Sequence, residues 1–155
     1  MKKSARITEY VSRLEQPADS PLDPHYLGYF KLFNEQKFYE AHDVLEHLWL
    51  QKRDANYHFF KGLIQFAGAY VHLQKQLLHP THAKHGRRLR PASRLFTLAM
   101  HNLESYRPNY MQLDVEALLR QCARNVEEIV ASDYQCNPLR ESPPPRLSLH
   151  FLPKS

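Results

Sequence analysis

Between Pro24 and Pro80 the chain contains no proline and only three glycines, Gly28, Gly62 and Gly68. Proline inside a helix deletes a backbone hydrogen bond and costs about 3 kcal/mol, and a mid-helix glycine costs about 1 kcal/mol against alanine. A stretch this poor in breakers and rich in Leu, Ala, Glu, Gln and Lys is built for helices. Most of the eleven prolines lie before residue 25 or after residue 137. No alternation of period two and no internal repeat is visible. The reading is all-α: one domain, a bundle or array of about five to six helices. An N-terminal helix and linker are expected over 1–22, the helical domain over 23–134, and a proline-rich tail over 135–155.

Local signals place the helices. Ile7, Tyr10, Val11 and Leu14 share one face of a short first helix. Asp23-Pro24 reads as an N-cap followed by proline at the first helical position. Further helices are expected from Phe38 or Tyr39 to about Arg53, from Asn56 to Leu78, and from Pro91 onward. In the last of these, Ala92, Leu95, Phe96, Ala99, Met100, Leu103 and Tyr106 make an apolar stripe. "RPNYMQLD" is a turn whose Asp114 caps a final helix, with Val115, Leu118, Leu119, Cys122, Val126 and Ile129 inward. Leu147, Leu149 and Phe151 are the residues by which the tail can dock.

Composition narrows the setting. No apolar run approaches the roughly 20 residues a membrane helix needs, and the basic start lacks the apolar core of a secretory leader. Cys122 and Cys136 do not make a disulfide framework. A cytoplasmic, reduced setting and no membrane partner are expected. The net charge of +5 comes largely from "KHGRRLR". Lys84, Arg87, Arg88 and Arg90 are therefore the candidate contacts to nucleic acid, the one macromolecular partner composition suggests, although a solvated loop explains them as well. Self-association is left open.

The chemistry concentrates in "FYEAHDVLEHLW", residues 38–49. At about 100° per residue, Phe38, Ala41, Leu45, Leu48 and Trp49 share one apolar arc. His42 and Glu46, one turn apart, fall at its rim. Glu40, Asp43 and His47 fall on the far face, where Asp43 and His47 make an ordinary i,i+4 pair. On the next helix, His58, Gln65 and His72 recur along one line, and Gly62, Gly68 and Ala69 flank Gln65. Small residues at such cost imply that another element packs there and brings a polar group to Gln65. The motif helix, joined by a short connection, is the natural candidate.

This reading yields a semi-buried polar cluster of His42, Glu46, Gln65 and His72, with Tyr39 and Trp49 as walls. As a hydrogen-bonded network it would fix helix register. As a site it would hold a small molecule or serve acid–base chemistry. His42 and Glu46 are the candidate metal pair. Di-metal carboxylate bundles, however, use Glu-x-x-His on two helices with further glutamates, a pattern this chain lacks. No cofactor is assigned. His79, His82 and His85 are spaced by three, but Pro80 makes their segment a loop. Phosphate-binding glycine loops, H-E-x-x-H, paired C-x-x-C and G-x-S-x-G are absent.

"FNEQKFYEAHDVLEHLW", "KGLIQFAGAYVHL", "PASRLFTLAMHNLESY" and "LDVEALL" together resemble the DUF309 family, from about Tyr26 to Val130. The most specific part is Phe38, Tyr39, Glu40, Ala41, His42, Glu46 and Trp49, with Gln65 as a second anchor. Asp43 stands where glutamate is expected. The resemblance implies an all-helical fold and adds Glu40 to the site residues, despite its outer-face position; it implies no reaction. The functional expectation is a non-catalytic domain that binds a partner or small ligand. The alternatives are a metal-dependent or acid–base enzyme using His42 and Glu46, and nucleic-acid binding through residues 84–90.

Overall fold

The computed structural model describes residues 2–14, 22–51 and 53–150. Among them are six α-helices: α1 (Lys3–Ser12), α2 (Pro24–Asn34), α3 (Phe38–Gln51), α4 (Tyr57–Leu78), α5 (Leu89–Leu103) and α6 (Val115–Ala131). The α4 helix packs against both α3 and α5, α2 against α3, α5 against α6, and α1 across α2 and α3. The fold is all-α, as the breaker pattern and apolar stripes predict. The expected linker lies mostly in residues 15–21, outside the described residues.

The caps work as read. Asp23 accepts a hydrogen bond from the His25 amide, and Pro24 opens α2. Asp114 accepts from the Ala117 amide at the start of α6. The α2 helix ends in a Schellman turn: the Lys37 amide donates to Leu32 O (2.9 Å) and the Gln36 amide to Phe33 O (2.9 Å). That turn aims the chain into α3 and puts Gln36 at φ 62. The left-handed region costs an L-residue about 1–2 kcal/mol, while glycine enters it freely. Gln36→Gly is therefore expected to stabilise the protein by about 0.5–1 kcal/mol once the extra entropy of unfolded glycine is subtracted. Urea unfolding measures this, and a loss of stability would show that the glutamine side chain contributes more than the turn strain.

Two boundaries differ from expectation. α5 begins at Leu89, two residues before Pro91, because proline is tolerated anywhere in a first turn, where no amide partner is lost. The "RPNYMQLD" turn contains two short strands, β1 (Asn109–Tyr110) and β2 (Leu113–Asp114), paired antiparallel. Met111 and Gln112, both at positive φ, form the two-residue hairpin turn. Neither residue advertises that conformation, so composition alone hides it.

The core is aromatic. Phe33 on α2 meets Phe38 of α3 at 4.9 Å and Phe66 of α4 at 5.4 Å between ring centroids. Tyr70 of α4 meets Phe96 of α5 at 5.2 Å. Its hydroxyl accepts a hydrogen bond from buried Asn125 of α6 (2.9 Å). The tail is docked through Asn34, which donates to Leu147 O (2.7 Å) and accepts from the Leu147 amide (2.8 Å). Leu147 is buried, and Leu149 bridges to Leu113. Phe151 lies outside the described residues.

Candidate functional site

The signature residues of α3 point three ways. Phe38, Ala41, Val44, Leu45 and Leu48 are buried and anchor the helix on α2 and α4. His42 lies at the rim, as its position on the wheel predicts. Its ring sits on that of Tyr39, 6.1 Å between centroids. Its Nδ1 is 3.1 Å from Asp43 Oδ1, and its Nε2 is 3.6 Å from Glu46 Oε2. One imidazole thus faces two carboxylates.

Asp43 is not on a water-facing surface; it is buried, with 8% of its surface exposed. The expected Asp43–His47 pair gives way to a different partner. Lys3, the first residue of α1, places Nζ 3.0 Å from Asp43 Oδ1 and 3.4 Å from Glu46 Oε1. The carboxylate of Asp43 raises the pKa of Lys3, chiefly through that hydrogen bond. The reason is tertiary: α1 buries Ile7 against the core and so covers the side of α3 that an isolated wheel assigns to solvent. His47 turns to stack on His25, centroids 5.2 Å apart.

Beside this charged group lies a cavity of about 360 Å³ between α1 and α3. Ile7, Tyr10, Leu32 and Val44 give it an apolar lining, while Lys3, Arg6, Lys37, Glu40 and Asp43 supply charge. Its volume falls in the range of small-molecule sites, roughly 300–1,000 Å³. Tyr39 forms part of its wall and is 56% exposed. Glu40, exposed as the wheel predicts, reaches this cavity because α1 stands opposite it. Trp49 does not line it; its ring packs on Tyr57 at 5.1 Å.

Gln65 and His72 belong elsewhere. A Cβ at Gly62 would fall 2.6 Å from Leu103 Cγ, and one at Gly68 would fall 3.3 Å from Leu95 Cδ1. The element packed most closely over the small-residue face of α4 is therefore α5, and the motif helix reaches that face at Gly68, where a Cβ would lie 3.9 Å from His42 Cδ2. α5 also brings the polar partner: Asn102 donates to Gln65 Oε1 (2.7 Å), and its Oδ1 lies 3.3 Å from His58 Nδ1. His72 accepts from Arg88 Nη1 (3.1 Å). The expected single cluster is three separate ones, because the α4 face bearing Gln65 and His72 is covered by α5 and the residues leading into it.

Of the basic residues, Arg88 turns inward to His72 and His85. Arg90 lies over the Tyr134 ring, 4.0 Å from its centroid. Lys84 and Arg87 remain exposed. Cys122 is buried and its thiol pKa is pushed well up by burial, so it serves as a small core residue. Sequence reasoning missed Lys3, Asp43, Asn102 and Arg88 as partners. Only Asn102 carried a local signal, a polar residue beside the apolar stripe of α5.

Chemically, His42, Asp43 and Glu46 offer one ligand atom each, all within 4.8 Å of one another. That spacing suits either a hydrogen-bonded network around Lys3 or, with small side-chain shifts, a shared cation. No curated protein and no solved structure matches the chain. A family model described as a domain of unknown function, DUF309, matches residues 26–82, so α5 and α6 lie outside the matched segment. Over residues 26–82, the segment that holds most of α2, the motif helix and α4, the chain is similar to the DUF309 family.

Proposed function

We propose that the protein is a small-ligand-binding helical domain whose ligand occupies the cavity between α1 and α3. The observation that carries this reading is the meeting of that 360 Å³ cavity with Tyr39, Glu40 and Asp43 of the motif helix. An apolar floor beside Arg6 and Lys37 suits a compact ligand with an apolar body and an anionic group. Chemical-shift mapping with octanoate as probe tests this. Saturable shifts confined to α1, α3 and the end of α2 with the turn that follows it, weakened at least fivefold by Arg6→Glu, are expected. Shifts scattered over the surface, or an Arg6→Glu variant that binds equally well, would refute it.

A second reading rests on the three ligand atoms of His42, Asp43 and Glu46 within 4.8 Å. A histidine and two carboxylates form a donor set that divalent metals accept. Such an ion would compete with the Lys3 ammonium for the same oxygens. Metal analysis of tag-free protein decides the matter. Stoichiometric metal that is lost in His42→Gln supports this reading, and metal-free wild type after loading with Zn²⁺ or Mn²⁺ removes it.

A further inference from the structure

Three imidazoles and one guanidinium fasten the connection between α4 and α5. Arg88 spends its donors on histidine lone pairs: Nε and Nη2 donate to His85 Nδ1 (3.0 and 2.7 Å), and Nη1 donates to His72 Nδ1 (3.1 Å). His82 Nδ1 accepts from the Lys84 and His85 amides, both at 3.1 Å. The His82 and His85 rings stack with centroids 4.6 Å apart, and His79 lies 5.7 Å from His85. The segment also closes tightly on itself: a Cβ at Gly86 would fall 2.4 Å from Pro80 O.

Every ring nitrogen in this fastening acts as an acceptor, so each needs its lone pair. An imidazole that takes a proton on Nδ1 loses that lone pair and becomes a cation beside Arg88. The groups acting on His72 and His85 are Arg88, Lys75, His82 and His79, all basic. We propose that the Arg88–His72–His85 bridge is a proton-sensitive latch that holds residues 79–88 against α4 at neutral pH and releases them in acid. Burial, then the charges of Arg88 and Lys75, lower the His72 pKa to about 4. The sign follows: with the folded value below the free one, the latch is intact above about pH 6.5 and weakens as pH falls toward 4. Release would free Arg88 next to exposed Lys84 and Arg87, making the segment more cationic as it loosens.

The latch is read directly by NMR of the full chain, following the Arg88 Nε–H chemical shift and amide protection from pH 7.5 to 3. The Nε–H resonance is expected at a hydrogen-bonded shift at pH 7.5 and at the shift of a free guanidinium by pH 3. Protection of the Gly86 amide, which donates to His82 O at 2.9 Å, should fall at least tenfold while Leu63 and Phe66 stay protected. His72→Asn with His85→Asn keeps an oxygen acceptor that does not titrate, so this variant should retain the hydrogen-bonded Nε–H shift at pH 3. Arg88→Met should leave the Gly86 amide unprotected already at pH 7.5. A wild-type Nε–H shift that stays hydrogen-bonded to pH 3 would overturn the proposal. So would equal loss in the double asparagine variant, or loss of Leu63 and Phe66 protection at the same pH.

Discussion

Gly62→Val is expected to lower the unfolding free energy by about 1–3 kcal/mol, a cost typical of forcing extra carbons into a filled core. The added Cβ would stand 2.6 Å from Leu103 Cγ, 2.9 Å from its Cδ2 and 3.3 Å from the backbone oxygen of Ala99. Leu103 is fully buried and has nowhere to swing, and the Ala99 oxygen belongs to the α5 backbone. Relief of the glycine penalty returns only about 1 kcal/mol at most, so the collision dominates. Urea denaturation measures the difference, and stability equal to wild type would mean that α5 shifts away without loss. Gly68→Ala is the control: its nearest neighbour is the half-exposed Leu95 side chain at 3.3 Å, which can yield.

Phe33→Ala is expected to cost about 3–5 kcal/mol, the range for deleting a buried phenylalanine ring. Phe33 is 1% exposed and, from α2, touches both α3 and α4. Its ring lies 4.9 Å from Phe38, 5.4 Å from Phe66 and 5.4 Å from Tyr70. These rings are large and held by several neighbours, so the cavity cannot collapse cheaply. For a domain of this size the melting temperature should fall by roughly 10–15 °C. A change below about 1 kcal/mol would show that the α2–α3–α4 junction repacks, and would contradict the rigid aromatic core described above.

The helices, their caps and their apolar faces are legible in the sequence because each is a short-range property. Asp23-Pro24 and Asp114 announce α2 and α6 through a single side chain and its nearest amides. The stripe on α5 shows its buried face through spacing alone, with Ala92, Phe96, Ala99 and Leu103 all buried. The small residues on α4 likewise signal that something packs closely there. The rim position of His42 and Glu46 follows from the same angular reasoning.

Which surfaces meet was decided by tertiary structure. The close neighbour of Gly62 and Gln65 is α5 rather than the motif helix, because a helix surface with small residues accepts any partner whose ridges fit. Asp43 reads as solvent-facing until α1 arrives, and its partner Lys3 comes from a separate helix, 43 residues before Glu46 in the chain. Arg88 reads as one more charge of a basic loop until its donors are seen on His72 and His85. Periodicity records how strongly a face avoids water, which is a local quantity summed over one helix. The pairing of polar groups depends on relative helix placement, to which distant core contacts contribute, and so it emerges only in the folded chain.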